Sequence, residues 1–84
     1  MVKYPTIAKV CHYMLAHKQI SARATARAVQ VHHRSFQRYL RGESTPRPAV
    51  KARMAKHLGV PRFEDLIALA YRYYNQGHPE PWQR

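Results

Sequence analysis

Acidic residues are scarce in this chain: four Asp and Glu stand against fifteen Lys and Arg, a formal net charge of +11 over 84 residues. Three of the four, Glu64, Asp65 and Glu80, come after residue 62. The rest of the chain therefore has almost no carboxylate for general acid/base chemistry, and no nucleophile-and-base pattern stands in its place; the expectation is that this is not an enzyme. A single cysteine, Cys11, excludes an intramolecular disulfide framework, so packed helices must stabilise a domain near the small end of what folds unaided. Long apolar runs are missing as well. Lys, Arg or His interrupts each of them, which excludes a transmembrane helix. Tyr4, Pro5 and Lys9 break up the stretch a signal peptide would need, and a cytoplasmic, reducing location is expected. Metal-ligand spacing is also absent: Cys11-His12 and His32-His33 are adjacent pairs that diverge on a helix, and no Cys-x-x-Cys or His-x-x-x-His occurs. Neither a metal nor a cofactor is expected.

The charge that is present is unevenly placed. Residues 1–62 hold thirteen Lys and Arg and one acid, Glu43, whereas residues 63–84 hold Arg72 and Arg84 against three acids. A strongly basic body with a near-neutral, tyrosine-rich end points to a polyanion partner for the first part and a protein partner for the second.

Apolar residues recur with helical period and never alternate as a strand would, so the chain reads as all-α. Five helices are expected, over about 6–17, 21–29, 33–40, 48–58 and 61–75. Ile7, Val10, Cys11, Met14 and Leu15 line one face of the first. Ser21 caps the second, Gly42 stops the third and Gly59 stops the fourth. In the fourth, Val50, Met54 and Leu58 stack inward while Lys51, Arg53 and Lys56 point away. Residues 1–75 form one domain that includes the last helix, and 76–84, rich in Gly, Pro and charge, form a short flexible tail.

The stretch from Ala26 to Gly42 reads as helix, tight turn, helix. Ala26 is small enough for a close crossing, with Thr25 and Val29 facing inward beside it, and Gln30-Val31 make the turn. Phe36 and Tyr39 anchor one side of the following helix. His33, Arg34, Gln37, Arg38 and Arg41 occupy the other.

On these residues the span Ile20 to Val60 resembles the phage Cro and repressor family, the lambda-repressor-like helix-turn-helix proteins. Thr25-Ala26, Gln30-Val31 and Arg38-Tyr39-Leu40-Arg41-Gly42 occupy the places of that family's pattern. Ser44-Thr45-Pro46 and Ala55-Lys56-His57-Leu58-Gly59-Val60 resemble its loop and fourth helix. Gln30 stands where the pattern has glycine, Ala22 where many relatives have a phosphate-touching Gln, and His32 where a Ser or Thr cap is usual. The resemblance implies a five-helix lambda-repressor-like domain binding double-stranded DNA, with His33, Arg34, Gln37 and Arg38 reading bases in the major groove. Arg23, Arg27, Arg41, Ser44, Thr45, Arg47 and Lys51 are the expected phosphate contacts, which position without reading sequence. It further implies a small repressor, at home on the bacterial nucleoid and common on phages and plasmids.

The last helix is apolar nearly all round. Leu66, Ile67, Leu69, Ala70, Tyr71, Tyr73 and Tyr74 are the expected homodimer interface, the alternative being that they close a small core. Two further readings remain open. One is a DNA-binding antitoxin or co-regulator that grips a second protein through this helix or the Trp82 tail. The other is an architectural or RNA-binding protein without sequence readout.

Overall fold

Pro5 begins the first helix well, because its missing N–H falls where no helical hydrogen bond is made. In a computed structural model that describes residues 2–80, those residues form five helices: α1 Pro5–Lys18, α2 Ala22–Ala28, α3 His33–Leu40, α4 Pro48–His57 and α5 Phe63–Asn75. Each lies within two residues of its expected bounds, and no strand is present among the described residues. No helix among them is long and apolar enough to cross a membrane.

α1 is the central element. It packs on both α3 and α5, with α2 against α3 and α4 against α5. Its burial is accordingly wider than one stripe: Ile7, Ala8, Val10, Cys11, Tyr13 and Met14 are all in the core, while Leu15 is only half-buried. Phe36, Met54, Leu66 and Val29 meet them there, fully enclosed. Burial pushes the Cys11 thiol far above its ordinary pKa, so it is an inert core residue. Thr25 is equally buried, and its hydroxyl is satisfied by donating to the Ser21 carbonyl at 3.0 Å. Ser21 itself caps α2, its Oγ accepting from the Ala24 N–H at 3.0 Å.

α2, α3 and α4 end in the same way. After α3, the Gly42 N–H reaches Tyr39 O and the Glu43 N–H reaches Arg38 O. After α4, Gly59 and Val60 bond back to Lys56 and Ala55; after α2, Gln30 and Val31 bond back to Arg27 and Ala26. This paired pattern requires a left-handed residue just past the helix. Gly42 (φ 68) and Gly59 (φ 76) take that shape freely, but Gln30 takes it at φ 60 with a side chain. A Cβ in that region costs about 1–2 kcal/mol. Gln30→Gly is therefore expected to stabilise the protein by roughly 1 kcal/mol, a rise in Tm of about 4–8 °C for a domain this small. A thermal scan showing no rise would mean that the Gln30 side chain contributes a compensating interaction.

Two expectations are corrected by the packing. Arg53 does not simply point away: it is half-buried, and its Nε donates to the Val29 carbonyl at 2.7 Å, tying α4 to the turn after α2. Leu66 and Ala70, expected at a dimer interface, are fully buried in this chain's own core. The reason is that α5 is flanked by both α1 and α4, so more of its circumference is covered than one neighbour could manage. The tyrosines are also engaged. Tyr73 packs edge-on to Tyr13 at 5.4 Å, Tyr71 Oη meets Thr6 Oγ1 at 2.7 Å, and the Lys9 ammonium sits 4.7 Å from the Tyr71 ring centroid. Among the described residues, the exposed large apolar side chains are Ile20 and Tyr71. Past α5, the His78 ring stacks on Tyr73 at 3.8 Å and Glu80 pairs with Lys9 at 2.9 Å. Trp82 lies outside the described residues.

Candidate nucleic-acid interface

α3 is eight residues long, and its sequence divides it lengthwise. At about 100° per residue, Arg34, Gln37, Arg38 and Arg41 fall within a single stripe of roughly 100°, opposite Phe36 and Tyr39. The structure agrees: the four stripe residues are exposed, Phe36 is fully buried and Tyr39 nearly so. His33 is half-buried, on the flank of the stripe toward Leu40. Arg34, Gln37 and Arg38 are thus brought together, with His33 set to one side.

Both ends of α3 are held. At the start, His32 has extended backbone and its Nδ1 accepts from the Arg34 N–H at 3.1 Å, so the imidazole does the work of a Ser or Thr cap. At the finish, His12 of α1 donates from Nε2 to the Leu40 carbonyl at 3.1 Å. The N-terminal segment completes the seat, with the N–H groups of Lys3 and Tyr4 both donating to Gly42 O at 3.1 and 2.8 Å. These bonds fix the axis of α3, and with it the direction in which the stripe faces.

The remaining candidates lie around this helix in different states. Arg23 and Arg27 are exposed and one turn apart on α2. Arg41 is exposed but paired, its Nε 2.9 Å from Glu43 Oε2, so the lone acid of the basic body sits at the end of the stripe. In the segment leading to α4, Thr45 and Arg47 are exposed and Ser44 is half-buried. Lys51 is half-buried with its ammonium 5.5 Å from the Phe63 ring centroid, an orientation that binds the side chain to α5. Lys3 was not anticipated from the sequence. It is exposed, and its backbone bond to Gly42 sets it beside the C-terminal end of α3. Nothing in the local sequence around Lys3 signals that pairing, which spans nearly forty residues.

No cluster of three or more His, Cys, Asp or Glu side chains is assembled among the described residues. What the site presents is a basic, polar stripe on a rigidly seated helix, preceded by a helix and a tight turn.

A family model for the helix-turn-helix domain matches residues 16–70, from the end of α1 to the middle of α5. No curated protein matches the chain, and no solved structure does.

Proposed function

The chain belongs to the helix-turn-helix domain family, whose members bind DNA, and from that premise we propose that it is a sequence-specific transcriptional repressor of the Cro type, acting on a near-palindromic operator. The observation that carries this reading is the exposed stripe of Arg34, Gln37, Arg38 and Arg41 on a helix whose opposite face is locked in the core. Arg matches guanine O6 and N7 with two hydrogen bonds, and Gln matches adenine N6 and N7. Arg34 and Gln37 are the principal readers, with Arg38 beside them and His33 at the edge. Arg23, Arg27, Arg41, Ser44, Thr45, Arg47 and Lys51 hold the backbone.

Size supports a second copy. The longest dimension of the chain is 30 Å, whereas paired half-sites lie about 34–36 Å apart. One chain with one reading helix serves one half-site. The exposed Tyr71 and the outer parts of Ile67, Leu69, Tyr73 and Tyr74, which are half-buried against this chain's own core, form the proposed dimer contact. Bound in this way, the dimer represses by occupying its operator and excluding polymerase.

Selection of random duplexes by the purified protein tests this reading. The expected result is a near-palindrome with half-sites about 10 base pairs apart, centre to centre; binding without any recovered motif overturns it in favour of architectural or RNA binding. Roles separate by substitution. Arg34→Ala should cost about 1–3 kcal/mol on the selected site and relax preference at one position, while Arg47→Ala should weaken all sequences alike. Equal loss on every sequence for both variants would mean that Arg34 does not read bases.

A further inference from the structure

A second basic feature lies apart from the reading stripe, between the C-terminal ends of α2 and α4. A cavity of about 260 Å³ is lined by Ala28, Gln30, Arg53, Lys56 and His57. None of these residues is acidic, and none belongs to the proposed DNA-contacting set. Basic residues at a helix end have an ordinary explanation, since each C-terminus carries about half a negative charge. Here that explanation falls short. The two helix ends together supply roughly one negative charge, and Arg53 already answers the end of α2 through its Nε bond to Val29 O. Lys56 and the two terminal nitrogens of Arg53 remain as donors around the cavity.

A second detail is His57. Its Nε2 is buried and has no hydrogen-bond partner among the described residues, an uncommon state for a polar atom in a folded protein. Burial, and then the nearby Lys18 ammonium at the end of α1, hold its pKa below the ordinary histidine value. No acidic side chain lines the cavity beside it.

We propose that this cavity binds a phosphate-type oxyanion, with Arg53 and Lys56 as donors, the His57 imidazole in its wall and the Gln30 amide at the rim. A phosphate has oxygens enough for donors arriving from several side chains, and a diphosphate fits the volume. The ligand is either a free phosphorylated small molecule or a backbone phosphate of nucleic acid outside the groove read by α3. Either way the site is independent of which bases α3 reads.

The test is a titration of the whole protein with inorganic pyrophosphate at constant ionic strength, followed by the NMR signals of the Gln30 amide, the Arg53 Nε–H and the His57 ring. Saturable shifts confined to these groups are expected, together with a rise in the His57 pKa, because a bound anion favours imidazolium. Lys56→Gln, a change at an exposed position, should weaken pyrophosphate roughly tenfold, the loss of one charge-assisted hydrogen bond. Lys56→Gln with His57→Gln should abolish saturation while leaving the α3 signals in place. Shifts that never saturate and spread equally over Arg34, Arg38 and Arg41 overturn the proposal, as does pyrophosphate binding unchanged in the double variant. A duplex-DNA titration of the double variant then identifies the source. Weakened DNA affinity assigns the site to a nucleic-acid phosphate, and unchanged affinity assigns it to a free anion.

Discussion

Gly42→Ala is expected to lower the unfolding free energy by about 2–5 kcal/mol, a large part of the 5–15 kcal/mol that a typical domain has. Two physical effects combine. The backbone at Gly42 is left-handed, φ 68, which costs a residue with a Cβ about 1–2 kcal/mol. The added carbon would also meet the Val2 side chain and lie 3.0 Å from the Tyr4 carbonyl oxygen. Relief of that crowding requires the N-terminal segment to lift away, and the Tyr4 N–H bond to Gly42 O at 2.8 Å opposes it; such overpacking adds about 1–3 kcal/mol. Gly59 provides the control. It shares the left-handed shape, φ 76, but a Cβ there meets nothing within 4 Å. Gly59→Ala should therefore show the conformational cost alone. Denaturant midpoints for the two variants measure the difference, and equal losses would show that docking of the N-terminal segment contributes nothing.

The second large effect is on DNA affinity as salt rises. Five cationic side chains are proposed on phosphates in each copy: Arg23, Arg27, Arg41, Arg47 and Lys51. Counterion release gives a log–log slope of about −0.9 for each neutralised phosphate, hence about −4.5 for one copy and about −9 for two. Between 50 and 200 mM salt the affinity should fall by roughly three decades for a single copy and by more than five for a pair. The slope thus reports the number of copies on the DNA as well as the electrostatic footprint. Arg41 is the residue most open to adjustment, because Glu43 holds its guanidinium at 2.9 Å. Glu43→Gln should raise affinity and restore whatever part of the Arg41 contribution, up to about one unit of slope per copy, the pairing withholds. A slope near zero in the unmodified protein would refute phosphate clamping by these residues.

The basic stripe of α3 was legible because a helix converts spacing into direction. Arg34, Gln37, Arg38 and Arg41 recur at three and four residues, and Phe36 and Tyr39 fall opposite whatever the rest of the chain does. His32 illustrates the limit. Its position before α3 marked it as standing in a capping place, but whether an imidazole nitrogen reaches the Arg34 N–H depends on a side-chain rotamer that only the folded turn selects. Lys3 and Arg53 were invisible in a different way. Each acquires its place from a partner far along the chain, Gly42 for Lys3 and Val29 for Arg53, and residue type alone does not name such a partner. The cavity beside His57 is invisible for the same reason, since its walls come from two helix ends that meet only after folding.

By itself, then, the sequence determined what is local: five helices, where Ser21, Gly42 and Gly59 begin or end them, and which side of α3 is basic. Those features follow from backbone conformation and from periodicity over a few residues. The tertiary structure decided what depends on how many neighbours an element has. α5 is apolar nearly all round, and its composition alone leaves open whether that surface meets a second copy or its own chain. Packed between α1 and α4, it buries Leu66 and Ala70 internally and gives Tyr71 and Tyr73 to α1, because burial goes to whichever apolar surface is already held nearby.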